Sequence, residues 1–189
     1  MQTPTLETER LILRPLSLDD APAIQLLLND WEVVKFLATV PWPYPDDGAV
    51  DFLSTSMLPA MEDGNAFGWA ITANQVGPEL IGQIDYRIER GETVVGKRGF
   101  WLGKNYWGNG YMSEAVSASV DFVFGEAGLD LIRAENAQAN RGSARIKEKT
   151  IGRLVEVRDG DFVSGRGPCE FWEISRDDWH ASRGRSTAY

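Results

Sequence analysis

Phe100-Trp101-Leu102-Gly103-Lys104-Asn105-Tyr106-Trp107-Gly108-Asn109-Gly110-Tyr111-Met112-Ser113-Glu114-Ala115 begins as a strand, passes through a glycine-bearing turn and enters a helix. The helix is read from an apolar stripe. Met112, Ala115, Val116, Ser119, Val120 and Val123 fall at i, i+3, i+4, i+7, i+8 and i+11, the pattern of about four helical turns. Gly125 and Gly128 then end it. Glycines between a strand and a helix let the main chain approach a ligand closely. The free N–H groups of the first helical turn, backed by a dipole of roughly half a charge, suit a phosphate or pyrophosphate. That Gly108 and Gly110 only shape a tight turn is equally compatible with these residues taken alone.

Working outward, Leu129 to Ala137 reads as the next strand, Arg141 to Lys149 as a short charged helix, Arg153 to Arg158 as a strand, Asp159-Gly160-Asp161 as a turn, and Glu170 to Ile174 as the last strand. Strand, turn, long helix and strand make a βαβ unit late in the chain. Upstream, Arg10 to Arg14 is a first strand broken by Pro15, and Ser17 with Asp20 forms a capping-box pattern before the stripe Ile24, Leu27, Leu28. Pro41-Trp42-Pro43-Tyr44-Pro45 must be a loop, and helical spacing resumes from Asp46 through Val50, Leu53 and Met57. Phe67, Trp69 and Ile71 alternate as a strand, followed by strands over Leu80 to Ile88 and Gly99 to Leu102, an antiparallel meander. The fold class expected is α+β.

A length of 189 residues allows one domain, 1–189, and its 43% apolar and 25% charged composition is that of a chain that folds alone. One cysteine, Cys169, excludes an intrachain disulfide and a four-ligand zinc site, and one histidine, His180, excludes most Ser-His and two-His schemes. Chemistry must come from carboxylates, hydroxyls, amines and backbone. No basic-then-apolar leader and no membrane-length apolar run is visible, so a cytoplasmic soluble protein is expected. The net charge of −9 opposes nucleic-acid binding and favours cationic partners. Its sign is uneven: Arg133 to Arg153 carries six basic and two acidic residues, net +4, which leaves −13 on the remainder. A cationic strip on an acidic body suggests an anionic ligand meeting a cationic one, although a solvated helix face carries such charges as well.

Three nucleotide motifs compare with the central stretch. A Walker loop needs Gly five residues before the Gly-Lys pair and Ser or Thr after it, where Arg98 and Asn105 stand. A dinucleotide fingerprint needs a third glycine where Ser113 stands. The third comparison is closer. Tyr106-Trp107-Gly108-Asn109-Gly110-Tyr111 with Glu114-Ala115 resembles the acyl-CoA pyrophosphate loop of the GNAT superfamily, in its RimJ/RimL-like branch. Thr8-Glu9-Arg10-Leu11-Ile12-Leu13-Arg14 resembles the branch's opening strand, and Asn136 through Lys149 is similar to its Asn-x-x-Ser-x-Arg-Val-x-Glu-Lys motif. Trp107 stands where many members carry Gln or Arg, and Met112 where a small residue is usual.

The resemblance implies a central twisted mixed sheet, mostly antiparallel, with flanking helices and one splayed pair of parallel strands that holds the pantetheine arm of acetyl-CoA. It implies arm contacts from the Phe100 and Leu102 strand and from Asn140. A pyrophosphate would sit on Trp107, Gly108, Asn109, Gly110, Tyr111, Met112 and Ser113, with Lys104, Arg141 and Arg145 neutralising phosphates. Acetyl transfer to an amine needs placement, a proton removed and a leaving thiol of pKa about 8.5. Glu135 is nominated as base through water, with Asp85 and Glu170 in reserve, and Ser143 as proton donor to the sulfur, since Lys147 stands where many members have tyrosine. A strand-edge ion pair for Glu135 and helix capping for Ser143 are the structural alternatives. Trp31, Phe36, Trp42, Tyr44 and Trp69 are placed either at the acceptor mouth or in the core. The expected partners are acetyl-CoA and an amine acceptor, either a protein N-terminus or a small molecule, with no nucleic acid, membrane or metal, and a homodimer as candidate assembly. A non-catalytic acyl-CoA-binding module is the competing reading, and a dinucleotide oxidoreductase is a third.

Overall fold

The computed structural model describes residues 1–185. Eight strands form one sheet: β1 (Leu6–Glu7), β2 (Leu11–Pro15), β3 (Ala66–Ala73), β4 (Gly77–Glu89), β5 (Val95–Leu102), β6 (Leu131–Ala137), β7 (Arg153–Phe162) and β8 (Gly165–Ser175), in the order β1-β2-β3-β4-β5-β6-β8-β7. The expected meander is β3 to β5, and it extends back through the expected first strand, β2, to a short, unexpected β1, each antiparallel to the last. The single parallel pair, β5 with β6, is the one joined by the long helix, because a parallel neighbour requires a crossover. The expected mixed sheet is therefore observed.

Period-two alternation gives each strand one side chain per face, and each face has its own core. Leu11, Leu13, Trp69, Ile71, Ile84, Tyr86, Leu102 and Ile132 meet the apolar stripe of α5 (Tyr111–Gly125). On the opposite face α1 (Ala21–Leu28), α2 (Trp31–Val34), α3 (Gly48–Asp51), a π-helical stretch Phe52–Met57 and α4 (Leu58–Glu62) pack through Ile24, Val34, Leu53 and Met57 onto Ala66, Ala70 and Leu80. The capping box is formed: Asp20 accepts from Ser17 N at 2.9 Å and pairs with Arg14 at 2.6 Å. α6 (Arg141–Lys149) lies beside α5, and α7 (Arg176–Arg185) closes the α5 side through Trp179, whose Nε1 donates to Asp121 at 2.8 Å. His180 is exposed and Cys169 is buried and free.

One expectation is corrected. Asp159-Gly160-Asp161 is not a turn but the far half of β7, with Gly160 opposite Gly167. Glycine is used there for packing, since a Cβ would stand 2.8 Å from that of Cys169. The reversal comes at Val163-Ser164, followed by Gly165 at φ +108°. Of the aromatic residues assigned to either mouth or core, Trp69 is fully buried, edge-on to Phe122 and Tyr86, and Tyr44 is also buried. Trp31 and Trp42 stay on the surface as a tilted pair with centroids 5.5 Å apart.

Candidate active site

β5 and β6 pair over only four residues, Val95 with Leu131 through Arg98 with Ala134. Beyond Arg98, β5 continues to Leu102 against β4 alone, and β6 continues to Ala137 against β8 alone. The two strands thus fork into a wedge. Which backbone groups face it is set by register. Gly103 N donates to Ile81 O at 2.9 Å, so the odd-numbered residues of β5 bond to β4 and the even-numbered ones turn away from it. Phe100 and Leu102 therefore present N–H and C=O to the wedge. The Leu102 carbonyl takes the indole N–H of Trp107 at 2.7 Å, which folds the loop back onto the strand end.

Above the wedge, a 3-10 turn (Lys104–Tyr106) leads into Gly108 and Gly110, at φ +79° and +80°. Both sit where an L side chain is strained. Gly110 caps α5, and the first-turn amides of Tyr111, Met112 and Ser113 come next without helical acceptors. The side chains of Tyr111 and Met112 are buried in the core, so these residues offer a ligand their N–H groups. Met112 in place of a small residue is accommodated because it points inward. One carboxylate locks the turn to the start of the sheet. Glu114 accepts from Thr8 Oγ1 at 2.6 Å and Arg10 N at 2.9 Å and pairs with the Arg10 guanidinium, which also donates to Asn109 O at 2.9 Å. Burial alone would raise the Glu114 pKa, but these donors hold it below the ordinary carboxylate value. In the sequence Thr8–Arg14 and Glu114 stand as separate motifs, and nothing in their spacing reveals this pairing across the fold.

The α5 face of the wedge carries Arg98, Phe100 and, from β6, Asn136. Asn140 caps α6, its Oδ1 accepting from Ser143 N at 3.1 Å, which leaves its amide N–H groups for another partner. Lys147 Nζ donates to Ser143 Oγ at 2.8 Å. Glu170 lies on this face too, bonded to Asn136 Nδ2 at 3.1 Å and 3.5 Å from Arg141. Arg145 and Lys104 are exposed and make no ion pair among the described residues.

The opposite face carries Asp85, Gly99, Trp101 and Glu135. Asp85 is opposite Gly99, and a Cβ on Gly99 would stand 3.2 Å from Asp85 Oδ2, so the carboxyl lies over the first residue past the fork. Burial pushes Asp85 up to about 6, against the pull of the Gln83 hydrogen bond at 3.1 Å and of Arg87. Glu135 is the first β6 residue past the fork, on the same face and exposed. The hairpin tip crosses this face: Val163 N donates to Leu37 O at 2.9 Å and Ser164 N to Lys35 O at 3.0 Å. Glu135 and Asp85 thus share one face, Ser143 and Glu170 belong to the other, and the wedge lies between. Among the described residues no group of His, Cys, Asp and Glu is placed to hold a metal.

A family profile described as "Acetyltransferase (GNAT) domain" matches residues 10–150. The chain belongs to the GNAT acetyltransferase family. It is 29% identical over 167 residues to a Bacillus licheniformis protein named "Uncharacterized N-acetyltransferase p20", covering 81% of this chain and 92% of that one. It is 28% identical over 154 residues to the FsC-acetyl coenzyme A-N(2)-transacetylase of Aspergillus fumigatus, covering 76% and 62%. Two solved structures share the fold. Ribosomal-protein-S5-alanine acetyltransferase from Vibrio fischeri gives a TM-score of 0.81 at 20% identity, over 93% of this chain and 98% of that one. Mycobacterium smegmatis RimJ in complex with CoA-disulfide gives 0.79 at 16% identity, over 96% and 94%. As a GNAT protein the chain is an acetyl-CoA-dependent N-acetyltransferase. No described helix is long and apolar enough to cross a membrane.

Proposed function

We propose that this GNAT protein moves the acetyl group of acetyl-CoA onto a primary amine, a protein N-terminal α-amine or a small-molecule amine, presented on the Asp85–Glu135 face. The observation that carries the reading is the fork after Arg98, with open backbone on one side and two carboxylates on the other. The pantetheine arm adds to the Phe100–Leu102 edge as an extra strand, with the Asn140 amide beside it. The pyrophosphate rests on the amides of Gly108 through Ser113, and Lys104 and Arg145 supply counter-charge. The thioester then lies at the fork, within reach of an amine arriving from the opposite face.

An α-amine has a pKa of about 8 and is largely protonated at neutral pH, so it must lose a proton before or during attack. Asp85, with a pKa of about 6, is matched to take that proton near neutrality. Glu135, exposed at the rim, passes it to solvent through water. Ser143 faces the departing sulfur from the other side and donates to it. The net charge of −9 favours cationic acceptors, which suits an amine substrate.

Thermal unfolding with acetyl-CoA, followed by mass-spectrometric screening of peptide and small-molecule amines, tests the reading. Acetyl-CoA at about 100 times its Kd is expected to stabilise by about 2.7 kcal/mol, a rise of about 5–10 °C for a domain of this size. No rise at concentrations far above micromolar, or binding without acetylation of any amine in the panel, would overturn it.

A further inference from the structure

Lys147 is a buried amine to which the transfer scheme gives no task. It is 1% exposed, yet among the described residues no carboxylate lies within ion-pairing distance of its Nζ. A buried lysine normally needs such a partner. Among the described residues Nζ makes one hydrogen bond, to Ser143 Oγ one helical turn back, at 2.8 Å. The ammonium also stands 5.3 Å from the centroid of the Phe100 ring, the residue whose backbone edges the wedge. The amine and the hydroxyl therefore form a dyad beside the wedge.

The charges around Lys147 come from every neighbouring element. Arg98 of β5 is 6% exposed, and among the described residues none of its three guanidinium nitrogens meets hydrogen-bond geometry with a partner. Glu170 of β8 lies on the same face, Cys169 of β8 and Glu135 of β6 act on the amine from the other face of the sheet, and Arg141 and Glu148 share its helix. Glu170 is already engaged by Asn136 and Arg141. Burial, and after it the charge of Arg98, push the Lys147 pKa well below its ordinary value, and the carboxylates recover only part of the difference. A lysine serving only to fill space would lose nothing by being methionine. Here the nitrogen is retained at the cost of burial and is aimed at a single hydroxyl.

We propose that Lys147 is a positioning residue that acts through Ser143 Oγ to deliver a proton to the sulfur of departing CoA. The proposal rests on the reading that the wedge takes acetyl-CoA. As the carbon–sulfur bond breaks, its electron pair stays on sulfur. The Ser143 O–H gives its proton to that sulfur, and the Lys147 ammonium gives one to Oγ. Lysine is left neutral and is recharged from solvent, which has received the proton lost by the acceptor amine through Asp85 and Glu135. A neutral amine and the thioester become amide and thiol with no proton left over, and an amine that arrives protonated releases one further proton to solvent. Serine alone is a poor acid. It is backed by a lysine whose hold on its proton burial and the Arg98 charge weaken well below the ordinary lysine value, which makes the relay a better acid than the serine by itself.

The test needs no acceptor. The ultraviolet absorbance of the thiolate of bound CoA is followed against pH as a difference from the same protein without CoA, which cancels Cys169. CoA affinity is measured alongside by calorimetry. In the unmodified protein the bound thiol is expected to ionise about tenfold more readily than free CoA, because the dyad stabilises thiolate. K147M keeps the buried stem and removes the amine, and S143A cuts the relay. Each is expected to return the thiol to its free behaviour or beyond while CoA affinity changes by less than about threefold, a discrimination a purely structural role would not give. A thiol titration unmoved by K147M overturns the proposal. So does an unmoved titration in S143A, which changes only a half-buried hydroxyl and stands as the measurement should K147M not fold. Failure of the unmodified protein to bind CoA strikes the acetyl-CoA reading of the wedge itself, an outcome separate from both.

Discussion

Residues Gly99–Leu102 of β5 serve two purposes at once, a main-chain edge towards the wedge and a side-chain face beneath Asp85. The two are specified differently. In the proposed site the working groups on the edge are peptide N–H and C=O, and the sequence shapes them only through backbone geometry: the fork after Arg98, and glycines at φ +79° and +80°. On the face the working groups are side chains delivered by β4 and β6 and brought together because both strands flank β5 in the sheet. A main-chain site tolerates most changes of side chain and fails where a side chain is added. A side-chain site fails where one is removed.

The sharpest way to break that contrast lies on the face. Asp85→Asn is expected to lower turnover by about 100-fold with acetyl-CoA affinity unchanged. The sign of its pH dependence is fixed by the raised pKa. The proposed base must be ionised, so activity is expected to climb as pH rises through about 6, and in the Asn variant that limb should vanish. Glu135→Gln, altering an exposed rim group, should cost about tenfold and keep the limb. If Glu135→Gln abolishes the limb and Asp85→Asn spares it, the two carboxylates exchange roles. Steady-state rates across pH decide between them.

On the edge, Gly110→Val is expected to weaken acetyl-CoA binding about 10- to 100-fold through backbone strain. Its Cβ would also stand 3.4 Å from Arg10 Nη2. Turnover at saturating acetyl-CoA should change little, and calorimetry separates the two effects. A fall in turnover with affinity intact would mean that loop and face are not separable.

The smallest effect concerns the clasp between them and the start of the sheet. Glu114→Gln is expected to destabilise by about 1 kcal/mol, since Arg10 is partly solvated, lowering Tm by about 2–4 °C. Because the Glu114 pKa is depressed in the fold, its contribution is complete above the ordinary carboxylate range and disappears as pH falls through the folded value. The variant should therefore show a shallower loss of stability in acid, read by thermal melts from neutral to low pH.

Legibility in the sequence divides along the same line. Gly108 and Gly110 are legible because only glycine accepts their backbone angles cheaply, a local property. The α5 stripe is legible because its periodicity is local as well. Asp85 enters the sequence reading only as a reserve base, and Arg98 and Lys147 are not legible as neighbours of the fork, since what joins them is the packing of α6 on the face of β5 that carries Phe100. Nothing in the spacing of 98 and 147 announces that. Gly160 misleads for an instructive reason. Between two aspartates it has the composition of a turn, but the missing side chain is required by Cys169 across the ladder. Glu135 and Ser143 are found through resemblance, and that they lie on opposite sides of the wedge needs the register to see.

The Glu114 clasp also makes the first strands a remote gauge of nucleotide binding. Thr8 and Arg10 are tethered to the same helical turn whose amides would receive the pyrophosphate, so a ligand that quiets that turn should slow the breathing of the short edge strand Leu6–Glu7 beside them. Deuterium uptake at the amino-terminal end of the chain would then report occupancy on the far side of the sheet.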